Sequence, residues 1–252
     1  MFQNADADTI EDLIEEIYDK GIVLSNYFSA DLNDARYFKS DDSIVIEKEM
    51  QGFSRLYFMT ADIDDLASIL QNVTTTSVIN FPTTGSADDF EKLMNASNFS
   101  FYKKYEIYSN EEIKGNDAFV EQYAQESDFE KVKSLLYEHL DVYSDHLPND
   151  EVLMDFITNQ QVLVNYLDGE ICGVLIFTIQ GKNKCYLNFW VDTGKNGLFL
   201  LFNIYNLLKE KNISYSYLWV NSQNEKVKRI HKLLGSKPTG TADYIYINKN
   251  HG

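Results

Sequence analysis

A chain of 252 residues is long enough for one large domain or two small ones, each with an adequate core. Its 22 Lys and Arg against 39 Asp and Glu give a net charge of -17, a field that repels nucleic acid and anionic membranes, so neither is an expected partner. The two cysteines, Cys172 and Cys185, stand in apolar runs without metal-ligand spacing. The acidic opening "MFQNADADTIEDLIEEIYDK" lacks the basic and apolar parts of a signal peptide, so a cytoplasmic protein with reduced core cysteines is expected.

In chain order, residues 8–18 carry Ile10, Leu13, Ile14 and Ile17 on one helical face. Two strands over 43–50 and 53–60 turn at Gln51 and Gly52. A helix over 63–70 precedes a strand over 77–81 that Pro82 is expected to end, then a helix over 87–95 and a strand over 100–108. The polar run "SNEEIKGND" has no apolar face and reads as a linker, which predicts domains over 1–113 and 114–252.

Beyond the linker, 119–123 is strand-like, 128–140 is an amphipathic helix, and a second helix begins near Pro148. A three-stranded meander follows over 161–167, 170–179 and 184–191, its first turn at Asp168 and Gly169. A glycine-bearing loop then opens a largely apolar helix from Leu198. A strand in "SYSYLWVN", a helix in "NEKVKRIHKLL" stopped by Gly235, and a strand in "DYIYIN" complete the pattern.

The two halves share an order. "RLYFMT", "DIDDLASILQN", "SVINF", "DDFEKLMNAS" and "FYKKYEIY" correspond in turn to "CYLNFWV", "NGLFLLFNIYNLL", "YSYLWV", "NEKVKRIHKLL" and "DYIYIN". Repeated architecture with slight identity predicts two related domains, the first abbreviated.

The element order over 118–248 resembles the GNAT (GCN5-related) N-acetyltransferase superfamily. The predicted fold class is therefore mixed α/β: two GNAT-like domains, each a mostly antiparallel central sheet flanked by helices. In that family the loop after the fourth strand carries Arg or Gln, two variable residues, Gly, one variable residue, then Gly or Ala. Here "GKNGLF" keeps the central Gly197 but places Gly194 and Phe199 at the flanking positions. "VNSQNEKVKRIHKLLGS" matches the family's Asn positions with Asn221 and Asn224 and its Leu-Gly with Leu234 and Gly235; His231 stands where the family has Tyr, and Ser236 where it has Phe.

The loop also has a physical case as an anion site, because N–H groups opening a helix attract phosphate, Gly197 removes a Cβ from its path and Lys195 adds charge. The other reading is a tight connection made by two glycines. From Lys182 to Lys237 ten Lys or Arg face three acidic residues, a local balance of +7 suited to the three phosphates of coenzyme A; a solvated helix face is the alternative.

The resemblance implies acetyl-CoA or another acyl-CoA as cosubstrate, with no metal, held by Phe189, Trp190, Val191, Lys195, Asn196, Gly197, Leu198, Asn221 and Asn224. It implies direct attack by a small-molecule amine or cationic acceptor, backbone N–H groups at 189–191 steadying the oxyanion, and His231 protonating the departing thiolate. Glu170 and Tyr186 are the candidate bases. His231 has the alternative of an exposed residue in a basic patch, and Glu170 and Tyr186 of structural or exposed positions. The first half, with three aspartates and no glycine in "MTADIDD", is expected to repel pyrophosphate. A catalytically inactive GNAT-like binding module is the rival from another class.

Overall fold

The computed structural model describes residues 2–27, 32–115, 117–194 and 198–249. Contacts gather them into two compact units, 1–105 with 241–252, and 106–240. This division falls inside two strands, and Lys114 lies within the second unit. The polar run is tied down there: Lys209 Nζ donates to Gly115 O at 2.7 Å, and the Asp117 amide donates to Asn206 Oδ1 at 3.3 Å.

The first unit contains β1 (Gln3–Asn4), α1 (Ala7–Tyr18), β2 (Leu24–Ser25), β3 (Arg36–Lys39), β4 (Ser43–Glu49), β5 (Ser54–Thr60), α2 (Ile63–Leu70), β6 (Ser77–Thr83), α3 (Asp88–Ala96) and the start of β7 (Ser100–Asn110). Asp6 caps α1 by accepting from the Thr9 amide at 2.8 Å, and Ile10, Ile14 and Ile17 bury its apolar stripe. Leu56, Phe58, Ile79 and Phe81 pack with α2 and α3, whereas Ile44, Ile46 and Met59 pack with α1, so alternate residues feed opposite layers. Strand β6 runs past Pro82, which sits opposite Asp243 one residue from its end, where a missing N–H costs the ladder little.

The second unit contains α4 (Phe129–His139), α5 (Asp150–Thr158), β8 (Val162–Leu167), β9 (Glu170–Gln180), β10 (Lys184–Asp192), α6 (Phe199–Glu210), β11 (Tyr215–Asn221), α7 (Glu225–Leu233) and the start of β12 (Lys237–Asn248), the rest of which belongs to the first unit. Strand β12 begins six residues before the expected "DYIYIN". Asp168 and Gly169, with φ of 53° and 86°, form the expected tight β8–β9 turn. Val162, Val164, Val174 and Ile176 pack against α4 and α5; Leu163, Leu175, Phe177, Cys185, Leu187, Leu218 and Val220 pack against α6.

Residues 119–123 make only a bridge from Tyr123 to Leu163 rather than a strand. Buried Asn203 on α6 explains why: it donates to Val120 O and accepts from the Val120 amide, both at 2.8 Å, so a side chain satisfies backbone groups that a strand would otherwise pair.

Candidate active site

Strand β10 pairs along its whole length with β9, antiparallel, but with β11 only over three parallel positions, Lys184 to Tyr186 opposite Tyr215 to Tyr217. Past Tyr186 the two parallel neighbours separate, leaving one edge of β10 turned toward an opening. An extra residue, Asn188, sits between the Leu187–Phe177 and Phe189–Ile176 pairs, and its Oδ1 accepts from Thr178 Oγ1 at 3.0 Å. The bulge reverses the alternation of side chains. Cys185 and Leu187 face α6 before it; afterwards Trp190 faces α6 while Phe189 and Val191 face α4 and α5.

The end of β10 leads toward α6 through a close-packed corner. The Asp192 carboxylate accepts from the Gly194 amide at 2.8 Å and approaches Asn165 Nδ2 at 3.3 Å. A Cβ on Gly194 would stand 2.8 Å from Cys172 Sγ. Gly194 is thus a packing glycine, which accounts physically for its place where the family pattern has Arg or Gln. Lys195, Asn196 and Gly197 lie outside the described residues.

Helix α6 starts at Leu198, which is exposed and offers its first turn no side-chain acceptor; no acidic residue lies in that turn. Among the described residues α6 is the one α-helix with neither a side-chain cap nor an acidic first turn. Among the described residues, its leading N–H groups and positive dipole end therefore meet no capping or acidic side chain from Leu198 or the first turn.

Helix α7 carries His231 inward. The ring is 1% exposed, lies edge-on to Trp190 with centroids 6.1 Å apart, and has no hydrogen-bond partner at either nitrogen. Burial pushes its pKa down to about 4. The alternative of an exposed residue in a basic patch is corrected: His231 is buried. Trp190 Nε1, the Tyr205 hydroxyl and the Ser216 and Ser236 hydroxyls are likewise buried without partners among the described residues. These atoms form a buried polar layer in the second unit.

Tyr186 occupies the last position of β10 that pairs with β11, stacked on Tyr217 with centroids 4.9 Å apart. Burial, then Tyr217 and Asp145, push its phenol up to about 12, so it stays protonated at neutral pH. Glu170 is exposed at the start of β9, on the far side of β10 from the opening. Asn221 accepts from the Gln223 amide at 2.9 Å, and Asn224 caps α7 by accepting from the Val227 amide at 3.1 Å. Both asparagines thus have structural work in shaping the β11–α7 corner.

The α7 cations Lys226, Arg229 and Lys232 are exposed, while Lys228 pairs with Glu225 at 2.6 Å and Lys209 is engaged with Gly115. Among the described residues no three His, Cys, Asp or Glu gather as a metal site, and no helix is long and apolar enough to cross a membrane.

The overall fold is matched in solved structures. A GCN5-related N-acetyltransferase from Sphaerobacter thermophilus superposes with a TM-score of 0.61 at 8% identity, over 84% of this chain and 79% of that one. A tandem GNAT protein from the clavulanic acid biosynthesis pathway aligns over 100% of this chain and 98% of its own, with a TM-score of 0.57 and 9% identity.

The chain has the tandem GNAT fold.

A GNAT-family acetyltransferase from Colwellia psychrerythraea also aligns over 98% of both chains, with a TM-score of 0.57 and 9% identity. No protein-family model matches the sequence, and no curated protein does. Within this fold, β10 and β11 are a parallel pair whose pairing ends at Tyr186 and Tyr217, and α6 is the helix between them in the chain. Sequence reasoning missed the Gly194–Cys172 contact and the Tyr186–Tyr217 stack. The spacing of Asp192 and Gly194 was the available signal for the turn they form.

Proposed function

We propose that the chain is an N-acyltransferase that passes an acyl group, acetyl in the simplest case, from acyl-coenzyme A to a small cationic amine. The carrying observation is the second unit's combination of a β10 edge released by β11 and an α6 N-terminus without an internal cap. The first can pair with the amide-bearing arm of the coenzyme, and the second can receive its pyrophosphate, assisted by Lys195, Asn196 and Gly197.

Attack of the neutral amine on the thioester carbonyl forms the C–N bond and expels the thiolate. N–H groups at Phe189, Trp190 or Val191 steady the oxyanion, and the proton shed by the ammonium leaves to water. His231, neutral at physiological pH, stands beside Trp190 and offers a ring N–H to the departing sulfur. The acidic balance of the chain favours a cationic acceptor by long-range attraction.

A second reading, a GNAT-like module that binds without turnover, draws on the candidate bases: the Tyr186 phenol is held protonated and Glu170 stands away from the opening. Calorimetric titration with coenzyme A, using Gly197→Glu as the non-binding control, tests the cofactor. Heat that saturates in the wild type and vanishes in the variant is expected; no binding at millimolar coenzyme A contradicts the acyltransferase reading. Thiol release from acetyl-CoA across a panel of amines then separates enzyme from module.

A further inference from the structure

The first unit repeats the divergence of strands. Strand β5 pairs with its parallel neighbour β6 over three positions, Ser54 to Leu56 opposite Ser77 to Ile79, and then separates, as β10 does from β11. Here the chain itself occupies the opening. Strand β2 lies along the released part of β5, Leu24 opposite Thr60 and Ser25 opposite Met59, and Ser25 Oγ donates to Phe58 O at 3.0 Å.

Asn26, 5% exposed, completes the closure. Its Nδ2 donates to Leu56 O on β5 at 3.1 Å and to Asn80 O on β6 at 2.8 Å. Its Oδ1 accepts from the Phe58 amide at 2.6 Å, and its own amide donates to Phe58 O at 3.2 Å. One carboxamide thus bridges both diverging strands and uses the backbone groups that an amide-bearing ligand would require. Asn80 extends the closure sideways: its Oδ1 accepts from Arg55 Nη1, and its Nδ2 donates to the Asp243 carboxylate at 2.8 Å. At the helix that follows β5, Asp62 accepts from the Asp64 and Asp65 amides at 2.8 and 3.3 Å, placing three carboxylates where a phosphate would have to approach.

We infer that Asn26 and β2 are a built-in occupant of the first unit's inter-strand opening, so that the chain takes up one acyl-coenzyme A, in the second unit alone. The count rests on the proposed function; the closure by Asn26 does not. A polar network satisfied from within is costly to pry open, because a displaced group leaves several buried backbone partners without hydrogen bonds.

Two measurements on the full chain test the inference. In amide hydrogen exchange, the Phe58 amide and the rest of β5 are expected to be protected in the wild type. Asn26→Ala should speed their exchange by about tenfold or more while β9 of the second unit keeps its protection. Unchanged exchange of Phe58 in Asn26→Ala would overturn the closure. Native mass spectrometry of the wild type with acetyl-CoA needs no variant: one bound ligand is expected, and two would overturn the inference. None would overturn the acyltransferase reading and the ligand count with it, leaving the exchange result to decide the closure alone.

Discussion

The N-termini of α2 and α6 occupy corresponding places in the two units and differ in what faces them. Asp62, Asp64 and Asp65 surround the first turn of α2, and Asp62 takes two of its amides. Leu198 opens α6 with no acceptor and no acid. The strand pairs beside them differ in the same sense: β5 and β6 diverge around Asn26, whereas β10 and β11 diverge without such an internal amide among the described residues. Two copies of one architecture can therefore serve different ends. In one, Asn26 and Asp62 take up backbone groups of the diverging strand and the helix start; in the other, the described residues supply no such side chain at the corresponding places.

The largest expected effect tests whether His231 belongs to the buried polar layer of the second unit. Burial holds its pKa near 4 in the folded chain, against an ordinary 6.5. Between these values the unfolded chain binds a proton that the folded chain refuses, so stability is present above pH 6.5 and is lost as pH falls toward 4. The loss amounts to at most ~3 kcal/mol. Chemical denaturation across this range should show a smaller slope for His231→Leu than for the wild type. Equal slopes would remove His231 from the account of the buried layer.

A smaller effect concerns the corner before α6. Gly194→Arg restores the family's residue type but drives a Cβ into Cys172, and should destabilise the fold by ~1–3 kcal/mol. Pairing it with Cys172→Ala should recover part of that loss in a double-mutant cycle. Strict additivity would mean that the sulfur is not what excludes a side chain at 194. Smaller again, Asp62→Ala should cost ~1 kcal/mol by uncapping α2, read as a shift in denaturation midpoint.

Much of the architecture was legible because local chemistry and tertiary structure agree. Asp168 and Gly169 mark a turn whose positive φ values follow, the Ile10–Ile14–Ile17 stripe buries as spaced, and Gly235 stops α7 with φ of 96°. The repeat of element order predicted the tandem fold before any geometry was known. The failures share a different origin. Residues 119–123 look like a strand, but Asn203, more than 80 positions away, takes the Val120 backbone. His231 sits in the charged stretch "EKVKRIHK", where a single inward residue leaves little periodic signal, so its burial was hidden. Asn26 lies in an unremarkable segment, and its role exists only because β5 and β6 part at that point. Strand divergence is a property of register between distant segments, and no spacing along one segment records it.

The most direct test sets the two helix starts against each other. Acetyl-CoA is titrated into the wild type, Leu198→Asp and Asp62→Ala under one set of conditions. Leu198→Asp gives α6 the carboxylate cap that α2 already has, so it should leave the fold as stable or more so while weakening binding by about tenfold or more. Asp62→Ala should bind as the wild type does. Undiminished binding by Leu198→Asp, or binding lost in Asp62→Ala, would contradict the assignment of the ligand site to the second unit.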